Sequence, residues 1–128
     1  MADQTLWDRC VAFHGHRCPG LALGVRAATV ALDFFMDDIT DEEHPGISCT
    51  VNTSKCPSDG LRCVLGVDDG RGLTVAEEEG DLRFDFSRNG KHIILTALPL
   101  KRGLSAEEKI VTILMGRQQD IFDIKTRY

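Results

Sequence analysis

The sequence predicts an α+β fold: a mixed, mainly antiparallel sheet packed against a long apolar N-terminal helix and shorter helices, in a single domain. Three observations carry this reading. Pro19, a residue suited to the first turn of a helix, precedes Leu21, Leu23, Val25, Ala28, Leu32 and Phe35 in an almost wholly apolar segment. Asn89-Gly90, a strong two-residue hairpin signal, separates two strand-like runs. Ser105 and Glu108 stand at capping-box spacing ahead of Ile110, Val111, Leu114 and Met115.

In chain order, Leu6, Cys10 and Phe13 recur at helical spacing with Trp7 and Val11 beside them, predicting a short amphipathic helix over 4–13 that stops at His14-Gly15-His16. The apolar segment then predicts a helix from Pro19 to about Met36. The acidic run 37–46, with Pro45 and Gly46, reads as a surface loop, after which Ile47, Cys49 and Val51 alternate with polar neighbours as a strand. Pro57 can open a helix through about Leu65, with Gly66 placed to end it, and a glycine-rich connection follows. Strands are expected over 73–76, 82–87 and 91–97, the last two antiparallel. The capping box starts a helix that runs to about Arg117, and 121–126 reads as a closing strand.

Composition narrows the function classes. A chain of 128 residues has room for one core, large enough to fold without disulfides or a structural metal, so a metal here would be functional. Twenty acidic against fifteen basic residues give a net charge of -5, and Lys101-Arg102 is too short a basic patch for nucleic acid. No stretch approaches the ~18 apolar residues of a membrane span. The start lacks the basic and apolar segments of a secretory signal, so a cytoplasmic location with reduced thiols is expected. Five cysteines in that setting read as packing, metal ligation or catalysis.

Two constellations carry chemistry. Within Phe13-His14-Gly15-His16-Arg17-Cys18-Pro19-Gly20, two imidazoles and a thiol alternate in a loop that glycine and proline force to turn, a donor set suited to zinc or another borderline-soft transition metal. Cys18 sits at an expected helix start, where the dipole favours a thiolate. Further on, Cys56, Asp59, Gly60 and Cys63 fall on one helical face. Cys56 at the strand-to-helix junction is the better ligand, while Cys63 belongs deeper, against the core. Cys10 and Cys49 read as core thiols, and His44 and His92 as structural.

These residues also carry a resemblance. The octapeptide Phe13 to Gly20, followed by an apolar helix, resembles the hallmark of the FmdE-like family, which takes its name from one component of formylmethanofuran dehydrogenase. That family's second block is similar to Cys56, Asp59, Gly60, Leu61, Gly66, Gly70 and Arg71 as they stand here. Two departures occur: Arg62 takes the place of a usual Gln, and Val67-Asp68 the place of Cys-Thr, so a thiol that many relatives have is missing here, and Cys63, four residues away along the helix, is expected to pack rather than to substitute for it. The C-terminal zinc-ribbon module of many relatives is not expected within 1–128, and the resemblance implies a homodimer. The exposed area of so apolar a helix in a small chain points the same way. The resemblance does not confer formylmethanofuran chemistry, whose pterin and iron-sulfur machinery belongs to other components of that enzyme.

Taken together, His14, His16, Cys18 and Cys56 are the expected metal ligands: two neutral imidazoles, two thiolates and a divalent cation sum to about zero charge. Zinc is the leading metal, with nickel or iron as alternatives. Asp59 would orient a ligating histidine or act as general base on metal-activated water, and Arg71 would bind an anionic small-molecule ligand. The leading expectation is a small metal-binding protein that can support metal-assisted hydrolysis of an unidentified substrate. A non-catalytic, metal-carrying accessory subunit docked on a redox enzyme is the second reading. The third is metal-free thiol chemistry with Cys18 as nucleophile beside His16.

Overall fold

The computed structural model describes residues 4–39 and 45–128; His44 and much of the expected 37–46 loop lie outside them. Helix α1 (Gln4–His14) is followed by α2 (Pro19–Phe34), with Pro19 in its first turn. The apolar segment, expected to stay helical to about Met36, instead tightens into a 3₁₀ turn, Met36–Asp38. Strand β1 (Ser48–Val51) leads to α3 (Cys56–Leu65), which Gly66 closes in the left-handed conformation at φ 70°. The remaining elements are β2 (Asp68–Asp69), β3 (Gly72–Val75), β4 (Arg83–Arg88), β5 (Lys91–Ala97), α4 (Ala106–Met115), α5 (Gln118–Ile121) and β6 (Phe122–Arg127).

The six strands form one sheet in the order β2-β3-β1-β4-β5-β6. From β1 to β6 the pairing is antiparallel, while β1, β3 and β2 run parallel, so that β1-α3-β3 is a crossover unit. Asn89 and Gly90 both take positive φ, 51° and 80°, the geometry of the two-residue hairpin between β4 and β5. Register sets one apolar face: Cys49 opposite Phe86, which in turn faces Ile93, and Val51 opposite Phe84, which faces Leu95, all buried. The partners on the other face, among them Ser48, Thr50, Asp85 and His92, are exposed or half-buried. His92 lies there with its Nδ1 3.0 Å from Asp85.

The helices share a single apolar cluster with that sheet face. Within it α2 is enclosed: Leu21, Ala22, Val25, Ala27, Ala28, Val30, Ala31 and Phe35 are all buried. The exposed apolar area invoked for a second copy of the chain is thus covered by α1, α3, α4 and the sheet, and the dimer argument loses that support. Arg26 is the exception in this helix, a buried cation that donates from one guanidinium nitrogen to the carbonyls of Ile113 (2.9 Å) and Leu114 (3.0 Å). It satisfies the otherwise open last turn of α4. At the other end of α4, Ser105 accepts from the Glu108 amide and Glu108 from the Ser105 amide, as the capping spacing predicts. Glycine makes the tightest contact: a Cβ at Gly60 on α3 would lie 2.6 Å from the Val25 nitrogen of α2, and one at Gly24 would meet the Pro57 carbonyl. The two helices therefore pack backbone to backbone.

Candidate metal centre

That close approach of α2 and α3 draws three chain segments together. Helix α1 ends at His14, and Gly15 turns the chain at φ 105°, a conformation unstrained only for glycine. Cys18 is extended and serves as N-cap of α2, its Sγ accepting from the Leu21 amide at 3.4 Å. Cys56 is the first residue of α3 and faces Gly20, whose Cβ would come within 3.1 Å of the Cys56 Cβ. One ligand atom from each of His14, His16, Cys18 and Cys56 falls within 4.8 Å of all the others. His14, Cys18 and Cys56 are half-buried, and His16 is exposed. The two imidazole rings lie 4.5 Å apart between centroids.

His14 has a defined orientation. Its Nδ1 is 2.7 Å from Asp59 Oδ2, so the ring turns Nε2 inward, 3.8 Å from Cys18 Sγ. The other oxygen of Asp59 accepts from Arg62 at 3.0 Å, and Arg62 continues to Asp69 at 2.7 Å and Asp68 at 3.3 Å. Both carboxylate oxygens of Asp59 are thus engaged, Oδ2 by His14 and Oδ1 by Arg62. Within this group burial opposes the charge of Arg62 but hydrogen bonds to Asp69 and Asp59 outweigh it and raise its pKa, while a backbone hydrogen bond from Asp69 and the contact with Arg62 lower that of Asp68. Burial pushes the Cys56 thiol up, and the neighbouring Cys18 sulfur adds to the effect. A cation among the four donors would relieve that crowding.

Other residues singled out in the sequence lie elsewhere. Arg71 is exposed in the tight turn between β2 and β3 and lines a cavity with Pro45, Ile47 and Val67, separate from the one that Cys56 lines. Val67 is buried against Gly72 rather than at the four-residue group. Cys63 does not substitute for the missing thiol there; it turns to Cys10 of α1 at 2.9 Å between sulfurs. Cys10 and Cys49 are buried, and burial raises each thiol to about 12, with Cys63 adding to the shift at Cys10. Sequence reasoning missed the Arg62 hub, although its i, i+3 spacing from Asp59 is a signal for such a pair. It also missed Arg17, which ties the loop to α4 through two hydrogen bonds to Glu107, at 2.7 and 3.2 Å, and lies over Trp7.

A cavity of about 430 Å³ opens beside Cys56, lined also by Gly20, Asn52, Lys55 and Glu78. Among the described residues no helix is long and apolar enough to cross a membrane. No curated protein matches the chain. The family model described as FmdE, Molybdenum formylmethanofuran dehydrogenase operon, matches residues 13–117, most of the chain, and the protein belongs to that family.

Proposed function

We propose that the protein holds a divalent transition metal, zinc by the chemistry of its donors, and serves as a metal-carrying accessory subunit. The observation that carries this is the chain Asp59–His14–Cys18: a carboxylate on one imidazole nitrogen turns the other toward a thiol that is one member of a four-donor group. In a tetrahedral site with metal–sulfur bonds of ~2.3 Å and metal–nitrogen bonds of ~2.0 Å, neighbouring sulfur and nitrogen atoms lie roughly 3.6 Å apart. The 3.8 Å between Cys18 and His14 fits that spacing. His14, His16, Cys18 and Cys56 would hold the ion, and Asp59, itself gripped by Arg62, would fix the His14 ring. Bound there, a divalent ion would tie the end of α1 and the starts of α2 and α3 together through two imidazoles and two thiolates.

Four protein donors favour a filled coordination sphere over one kept open for substrate, and hence a carrier over a hydrolase. The family description names the operon of a molybdenum enzyme, which supports a redox-enzyme subunit as partner. A cytoplasmic setting belongs to the same reading. A homodimer rests on the family resemblance alone.

A second reading has its own observation. Cys18, His14 and Asp59 stand in the order nucleophile, base and orienting carboxylate, the arrangement of a thiol nucleophile. Cys56 and His16 have no part in it, and their presence in the same group is why the metal reading leads.

The test is metal content per chain by elemental mass spectrometry, on untagged protein prepared without chelator, beside Cys18→Ser and Cys56→Ser. About one zinc per chain, lost in both variants, is expected. Absence of metal after zinc, nickel and iron supplementation, with Cys18 alone alkylating rapidly, would replace the metal reading with the thiol one.

A further inference from the structure

We propose that Cys10 and Cys63 form a second thiol site, which a small-molecule disulfide converts to an intramolecular disulfide that staples α1 to α3. The sulfurs lie 2.9 Å apart, so under 1 Å of movement separates them from the ~2.05 Å of a bonded pair. They stand 53 positions apart in sequence, and the packing of α1 on α3 alone brings them together. Neither belongs to the four-donor group, so the site does not depend on the metal reading.

Position gives the pair a use. Cys10 is one helical turn before His14, and Cys63 one turn after Asp59, so the thiols form the next rung beside the His14–Asp59 contact. A bond at this rung would lock the two helices that hold the ring and its carboxylate. Access is unequal: Cys10 is fully buried, while Cys63 is partly exposed. Burial also holds the Cys10 thiol protonated, its pKa raised to about 12. Cys63 is therefore the attacking sulfur. As thiolate it displaces one half of the reagent disulfide, forming a mixed disulfide and releasing one thiol. Cys10 then gives up its proton and attacks the Cys63 sulfur, breaking the mixed disulfide and releasing the second thiol. Two electrons and two protons pass from the cysteine pair to the reagent, which leaves as two thiols.

The experiment incubates the intact protein, and separately a Cys18→Ser/Cys56→Ser double variant, with glutathione disulfide, then alkylates free thiols and maps the peptides by mass spectrometry. Expected in both proteins is a cross-link joining the Cys10 and Cys63 peptides, the only one in the double variant, with Cys49 alkylated after unfolding, and a Tm about 10 °C higher in the double variant that dithiothreitol reverses. Cys10→Ser should stop at a glutathione adduct on Cys63 with no rise in Tm. Full alkylation of both Cys10 and Cys63 after oxidation of the intact protein, or a cross-link through Cys49, would overturn the proposal. Mapping the wild-type chain gives this answer even where a variant folds poorly, and the double variant keeps it separate from any oxidation of Cys18 and Cys56, which metal content would govern.

Discussion

Replacing Gly60 with alanine tests whether the helix contact builds the site. The added carbon would lie 2.6 Å from the Val25 nitrogen, 2.7 Å from the Gly24 carbonyl carbon and 2.9 Å from the Gly24 Cα. Ordinary carbon contacts lie at about 3.5–4.0 Å, so α3 must retreat from α2 by roughly 1 Å. Backbone atoms cannot rotate aside as a side chain would, which puts the overpacking cost near the upper end of the ~1–3 kcal/mol range. Alanine regains ~1 kcal/mol of helix preference over glycine, leaving a net loss of about 2 kcal/mol and a Tm lower by about 8 °C. The same retreat carries Cys56 and Asp59 away from Cys18 and His14. Metal sites tolerate ligand displacements of only ~0.2 Å, so zinc affinity should fall at least tenfold. The assays are thermal unfolding by circular dichroism and zinc competition against a chromophoric chelator. Gly66→Ala is the control: it strains a left-handed helix cap, at a cost of ~1–2 kcal/mol, without moving α3 toward or away from α2. Unchanged zinc affinity in Gly60→Ala, or an equal loss in Gly66→Ala, would refute the claim that this packing sets the donor geometry.

Asp59→Asn keeps the shape but weakens the hold on His14, and should reduce zinc affinity by about 10- to 100-fold in the same competition assay, with the fold intact by circular dichroism. Val67→Cys restores the thiol usual in the family; because position 67 packs against Gly72 away from the four donors, metal stoichiometry by elemental mass spectrometry should not change. The buried Cys49 thiol makes stability depend on alkaline pH. Its folded pKa of about 12 lies above the ordinary 9.0, so its contribution is complete below 9 and is lost as pH rises toward 12. The urea midpoint should fall over that window, with a slope of up to ~1.4 kcal/mol per pH unit from this thiol, and Cys49→Ala should flatten the fall.

Local chemistry made the elements legible. Asn89-Gly90, Pro19, the Gly66 stop and the Ser105–Glu108 box each mark a boundary through their own backbone needs, and the structure has all four. What long-range packing decides was not readable. The parallel pairing of β1 with β3 depends on where α3 crosses, and α5 depends on the turn that Arg117 and Asp120 close after Gly116. The same division runs through the site. The residue types at His14, His16, Cys18 and Cys56 announced a shared chemistry, and spacing placed Asp59 on the Cys56 face. Which imidazole Asp59 holds, and the fact that Arg62 holds Asp59, emerge only once α1 and α3 are packed together.

The departures from the family's second block make sense in the folded protein as a group. Position 67 is a core position beneath β3, where a valine contributes packing, and it lies apart from the four-residue group at Cys18. Arg62 and Asp68, the other two residues that depart, pair with each other, and through Arg62 the pair reaches Asp59. Three carboxylates then share one guanidinium, which is only 20% exposed and donates to Asp59, Asp68 and Asp69 at once. An isolated surface pair of this kind contributes little, and Asp68 and Asp69 are exposed, but one guanidinium bonded to all three carboxylates restricts the rotamer of Asp59. That carboxylate sets the direction of His14. The substitutions at 62 and 68 therefore act on the carboxylate that holds His14 without adding a candidate donor, while position 67, packed against Gly72 apart from the four-residue group, does not touch that group.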